Sequence, residues 1–130
     1  MGHSKRAKDA CKGLTYDECE LTILRQAVDK AETTKGKKKM SSPELIEIIE
    51  IVEKFLKAGN QICYGGTAIN NILPKQDQFY NRDIDIPDYD FFSMTPLEDA
   101  KKLADIYYKA GFDEVEAKAG VHYGTYKVFV

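Results

Sequence analysis

The stretch from Ser41 to Gly66 leaves this chain few ways to fold. Ser41-Ser42-Pro43-Glu44 reads as a helix start. It combines a capping hydroxyl, a proline whose missing N–H is harmless in the first turn, and a Glu placed to reach back. Leu45, Ile48, Ile49, Val52, Phe55 and Leu56 then recur at helical spacing, with Glu47, Glu50, Glu53, Lys54 and Lys57 mostly off that stripe. Gly59 is a natural stop. The apolar stripe needs a surface to cover it, and a sheet is the expected one. Its first strand is Ile62-Cys63-Tyr64, which runs directly into Gly65-Gly66.

The remaining elements follow by the same reasoning. Thr67 to Leu73 forms a short helix that Pro74 closes. Lys75 to Arg82 is a polar loop, and residues 88–93 form a strand. Thr95-Pro96-Leu97-Glu98 is a second capped start, followed by a stripe of Leu97, Ala100, Leu103, Ala104, Tyr107 and Tyr108 that ends at Gly111. Phe112 to Lys118 and Val121 to Val130 read as two strands around an Ala119-Gly120 turn. Upstream, Thr15-x-x-Glu18 is a capping box for a helix to about Ala31, with Leu21, Leu24, Ala27, Val28 and Ala31 in helical register. Glu32 to Met40 is expected as a linker, and residues 1–14 as loose chain. The order predicts an α/β (α+β) fold, a mixed sheet with helices packed on one side. The expected division is a basic arm over 1–41 and a core over 42–130.

Charge divides along the same line. Residues 1–41 hold ten Lys/Arg against six Asp/Glu, and residues 42–130 hold nine against fifteen. A basic arm on an acidic body suits a protein that meets polyanions at one end and metal at the other. A solvated tail is the other reading of the arm, and within it Lys37-Lys38-Lys39 could touch nucleic-acid phosphates, with a solvated linker as the default. Cys11, Cys19 and Cys63 are odd in number and lack C-x-x-C spacing. They argue against a disulfide framework and a zinc site, and for a reducing compartment. The two histidines, His3 and His122, lie far apart and do not suggest a His-based site. No apolar run approaches the roughly 20 residues that a membrane-spanning helix needs.

The chemistry is concentrated in two short words. Gly65-Gly66-Thr67 follows a strand and precedes a helix. Without Cβ atoms, the backbone N–H groups there can approach phosphate oxygens, and the helix start adds free donors and its dipole. Thr67 adds a hydroxyl. The second word is Asp88-Tyr89-Asp90-Phe91-Phe92-Ser93. Strand alternation turns Asp88 and Asp90 to one face, and Tyr89 and Phe91 to the other, into the core. Two neighbouring carboxylates repel unless cations join them, and hard oxygen ligands suit Mg²⁺ or Mn²⁺. Asp83-Ile84-Asp85 shows the same alternation and is a rival pair. Pro87 places it in the loop or at the start of the strand, which favours Asp88 and Asp90. Asp85 is the expected extra acidic neighbour. Arg82 is expected to pair with Asp83 or Asp85, or to meet a phosphate.

These residues resemble the DNA polymerase beta-like nucleotidyltransferase superfamily, whose signature is a Gly-Gly or Gly-Ser turn with a following helix and then an Asp-x-Asp strand. Tyr64 to Asn70 and Ile86 to Ser93 are more closely similar to the poly(A) polymerase catalytic subunits of large DNA viruses. The likeness extends through Ala100-x-x-Leu103-Ala104-Asp105 and Gly120 to Val130. It implies a polynucleotide adenylyltransferase with ATP as substrate. The triphosphate would lie at Gly65, Gly66 and Thr67, with Asp88 and Asp90 as catalytic ligands of two Mg²⁺ ions. AMP would pass to an RNA 3′ end, with a processivity subunit as a further partner the resemblance implies, away from any membrane and in the cytoplasm or virion.

Two departures qualify it. The stretch from Gly66 to Asp88 is longer than in many bacterial relatives. No Asp or Glu follows Glu116 on the last strand, and Glu114 and Glu116 precede the hairpin turn, so the third carboxylate is expected beyond Val130. Two alternatives stand beside the polymerase. One is a minimal nucleotidyltransferase acting on a protein or small molecule; the other is an inactive domain that binds nucleotide or a partner.

Overall fold

The computed structural model describes residues 11–130; His3 and the rest of 1–10 lie outside them. The elements run α1 (Tyr16–Met40), α2 (Pro43–Ala58), β1 (Ile62–Tyr64), α3 (Gly65–Ile72), a 3₁₀ turn (Lys75–Asp77), β2 (Asp90–Phe92), α4 (Pro96–Lys109), β3 (Glu116–Ala119) and β4 (Tyr126–Phe129). This is the expected order of helices and strands in an α+β fold. The strands form two separate antiparallel ladders, β1–β2 and β3–β4, in place of one mixed sheet. Their registers pair Tyr64 with Asp90 and Ala119 with Tyr126. The last two strands are shorter than the sequence suggests. Residues 120–125 form a wider loop, closed by Gly120 N donating to Thr125 O at 2.7 Å.

Helix α1 corrects the expected linker, because it continues through 32–40. Three lysines in its last turn complement the C-terminal end of the dipole. The Thr34 hydroxyl donates back to Lys30 O at 2.8 Å, within the helix. The capping box at Thr15 and Glu18 forms as expected. At the far end Ser41 caps α1 rather than starting α2, its hydroxyl donating to Lys38 O at 3.0 Å. Ser42 is then the N-cap of α2 without a side-chain bond. The Leu21, Leu24 and Val28 stripe of α1 stays exposed. A disulfide joins Cys11 to Cys19, against the expectation of unpaired thiols. The turn before α1 folds back on its first turn and brings the two Cα atoms to 5.0 Å. Cys63 is free and exposed.

The core lies where α2 meets α4. Val52, Phe55, Leu103 and Tyr107 are buried together, with Ile48, Phe112, Val115 and Val128 packed around them. The Tyr107 hydroxyl crosses between the helices to donate to Ile48 O at 2.7 Å. Tyr89 and Phe91 also pack on this core, and the Phe91 ring lies 6.2 Å from that of Phe55. Apolar burial on α2 therefore supports the strand that carries Asp90 from below.

Candidate functional site: a glycine helix start facing an acidic strand

A cavity of about 180 Å³ opens between α3 and the segment leading into β2. Gly66, Thr67, Asp85, Asp88 and Asp90 all line it. Gly65, the first residue of α3, does not. The helix starts two residues earlier than the sequence suggests, so Gly65, Gly66 and Thr67 form its first turn, where backbone N–H groups have no intrahelical acceptor. Gly65 has φ +77°. A Cβ there would stand 2.8 Å from Asp90 Oδ2. At Gly66 it would meet the Tyr80 hydroxyl at the same distance. The glycine pair is thus what allows the acidic strand and the Tyr80 loop to close over the helix start.

Strand β2 is shorter than expected and begins at Asp90, with Asp88 just ahead of it. The alternation still holds: Asp88 and Asp90 are exposed, while Tyr89 and Phe91 turn inward. The rival pair separates. Asp85 lines the cavity and Asp83 does not. Asp85 Oδ2 accepts from Asn81 N at 2.8 Å, closing the 81–85 turn. Arg82 pairs with neither aspartate. Its guanidinium donates to Glu53 at 2.9 Å, a structural pairing with an unforeseen partner. Glu53 also accepts from the Tyr89 hydroxyl at 2.8 Å. Burial, and then that bond to the Glu53 carboxylate, push the Tyr89 phenol well above its usual range.

Asp99, near the start of α4, ties the ends of both site strands together. It accepts from the Ser93 hydroxyl at 2.6 Å and from Gln61 Nε2 at 2.9 Å. The Ser93 bond first, and then that from Gln61, hold its carboxyl below the usual range. Ser93 Oγ also accepts from Thr95 N at 2.9 Å, and the expected Thr95–Glu98 box does not form.

The donor set suits a hard divalent cation. Mg²⁺ is commonly held by one or two carboxylates together with substrate phosphates and water. Asp88 and Asp90 are carboxylates on the cavity wall that could take that part, and the cavity's arginine is engaged by Glu53. Among the described residues no three Asp, Glu, His or Cys side chains gather to hold an ion by themselves. Glu116 lies on β3 and pairs with Lys118 at 2.8 Å. Sequence reasoning missed Glu53, Asn70, Tyr80 and Asp99. The one available signal was Asn70, a polar residue within the short helix that follows the glycines.

A strand, a glycine helix start and an acidic strand in this arrangement define a nucleotidyltransferase-like α+β domain. The structure matches the crystal structure of the Megavirus polyadenylate synthase with a TM-score of 0.74 and 29% identity, over 89% of this chain and 24% of that one. The profile of the family described as "Poly(A) polymerase catalytic subunit" matches residues 50–130, and the chain belongs to that family. Relatives named "Putative poly(A) polymerase catalytic subunit" include one from African swine fever virus, 33% identical over 78% of this chain and 21% of the relative. Another, from Acanthamoeba polyphaga mimivirus, is 34% identical over 64% of this chain and 15% of the relative. The chain thus spans about a fifth or less of these relatives' length.

Proposed function

We propose that this chain forms the nucleotide- and metal-holding part of a polynucleotide adenylyltransferase. The first turn of α3 receives the triphosphate of ATP through the N–H groups of Gly66 and Thr67, with Gly65 as the hinge that brings Asp90 close. Asp88 and Asp90 are the catalytic carboxylates and hold the divalent ions, for which Mg²⁺ is the expected choice and Mn²⁺ the substitute. Asp85 is their acidic neighbour. The bound ions supply Lewis-acid neutralisation of phosphate charge. In the reaction an RNA 3′-hydroxyl oxygen bonds to the α-phosphorus of ATP. The bond from that phosphorus to the β-phosphate bridge breaks, the hydroxyl proton is lost to water, and pyrophosphate departs.

The observation that carries this reading is that the helix start and both aspartates line one cavity. The test is titration with ATP, with and without Mg²⁺, alongside extension of a labelled RNA. Binding should need Mg²⁺ and vanish in the combined Asp88→Ala and Asp90→Ala variant. Survival of Mg²⁺-dependent binding in that variant would sink the assignment. A second reading rests on β4, Tyr126–Phe129, which carries no carboxylate to join Asp88 and Asp90. On that reading this chain binds nucleotide without transferring it, and RNA extension would be absent while Mg²⁺-dependent binding remained.

Three further assignments belong to the proposal. RNA is taken to approach α1 at Lys37, Lys38 and Lys39. The unit that holds the site is taken as residues 42–130, with α1 as an arm. The compartment is taken as cytoplasm or virion.

A further inference from the structure

Asn70 is the buried polar side chain of the described residues, only 3% exposed. Its Oδ1 accepts from Phe79 N and from Tyr80 N, each at 2.8 Å. Two N–H donors require an oxygen, so the amide has one orientation and its NH₂ end faces away from them. That end finds no acceptor among the described residues. It is not sealed in, because the buried, unpartnered side-chain atom among them is Gln61 Oε1. Asn70 lines the cavity with Gly66, Thr67, Asp88 and Asp90, one helical turn beyond Thr67. A largely buried amide with unused donors is costly until an acceptor arrives.

We propose that Asn70 has two roles in this cavity. Its Oδ1 fixes the 79–80 backbone so that Tyr80 stands over Gly66. Its Nδ2 donates a hydrogen bond to an oxygen of the bound nucleotide, a phosphate or a ribose hydroxyl. This rests on the nucleotide-binding reading above and adds a ligand contact that the reading does not require.

The experiment compares the wild-type chain with Asn70→Asp and Asn70→Ala. Binding of MgATP, magnesium tripolyphosphate and adenosine is followed by calorimetry, and stability by thermal melting. Asn70→Asp keeps an oxygen for the two N–H groups and removes the donor. It should melt between Asn70→Ala and wild type, because the clamp is kept while a carboxylate is added near Asp88 and Asp90, and bind MgATP roughly tenfold more weakly. Asn70→Ala should lose comparable affinity, measured well below its melting point, and should also melt earlier. A loss confined to tripolyphosphate assigns the phosphate; a loss confined to adenosine assigns the ribose. If only Asn70→Asp lost affinity, repulsion by the new carboxylate would explain it and the donor role would fall. Wild-type affinity in both variants would overturn that role as well, and unchanged melting of Asn70→Ala would overturn the clamp. A wild-type chain that bound none of the three probes would instead overturn the nucleotide reading itself.

Discussion

The half of the molecule built on α2, α4 and the β3–β4 ladder differs in kind from the half built on β1, α3 and β2. The first holds all five buried apolar side chains among the described residues: Val52, Phe55, Ala100, Leu103 and Tyr107. The second holds one buried side chain, and it is Asn70. Apolar burial supplies most of the stability of the first half. The second is held by directed bonds, accepted by Asn70 from the 79–80 backbone, by Glu53 from Tyr89 and Arg82, and by Asp99 from Gln61 and Ser93. Its cavity can stay lined by Thr67, Asp85, Asp88 and Asp90 because the neighbouring core carries the stability. Phe91 and Tyr89 join the two halves.

The largest expected effect separates the halves outright. Leu103→Ala should cost about 2–5 kcal/mol in urea unfolding, through lost burial and a residual cavity. Asp88→Asn with Asp90→Asn should leave stability equal or slightly higher, since like charges are removed, while Mg²⁺-dependent ATP binding is lost. If the aspartate pair instead lowered stability as Leu103→Ala does, the division would be broken.

Next in size is Gly65→Ala. Its left-handed backbone should cost about 1–2 kcal/mol. The new methyl would also push Asp90 aside, so MgATP affinity should fall more than stability does. A fall in stability alone, read by parallel melting and calorimetry, would detach Gly65 from the site.

A smaller effect tests the arm. A Cβ at Gly36 would lie 2.5 Å from Ile84 O, in the turn that carries Asp85. Helix propensity favours Gly36→Ala by about 1 kcal/mol. The backbone contact opposes it, and because a carbonyl cannot swing away as a side chain can, net destabilisation is expected. Faster amide exchange at Ile84 and Asp85 should accompany it, whereas a stabilised variant would show that α1 rests loosely on the site.

The smallest effect is a pH dependence of the core half. Burial pushes the Tyr107 phenol up to about 12. The unfolded chain releases that proton near pH 10. The stability tied to this proton is therefore whole below about pH 10 and is lost as pH rises through about 12. Tyr107→Phe should flatten that alkaline loss in urea titrations, and at neutral pH it should cost about 1 kcal/mol for the bond to Ile48 O.

Elements with a strong period or a stop residue were legible in advance. The α2 stripe buries Val52 and Phe55, and the α4 stripe buries Ala100, Leu103 and Tyr107, as their spacing requires. The pairing of a glycine turn with Asp88 and Asp90 was legible because each has a local reason, absent Cβ atoms in one case and strand alternation in the other. Less legible were the boundaries. Residues 32–40 read as a linker, yet good helix formers and the close seat of Gly36 on Ile84 keep them helical. Arg82 had adjacent aspartates on offer and took Glu53, which is distant in sequence and near in space.

Sequence alone determined the order of helices and strands, the apolar faces, the glycine turn and the acidic word, because each depends on neighbours within a turn or two. Tertiary structure alone decided that Asp85 lines the cavity while Asp83 does not, that Tyr80 covers Gly66, and that Asn70 is buried with its amide oxygen engaged. These depend on which distant backbone groups a fold brings within hydrogen-bond reach, about 3 Å, a distance that no local pattern records.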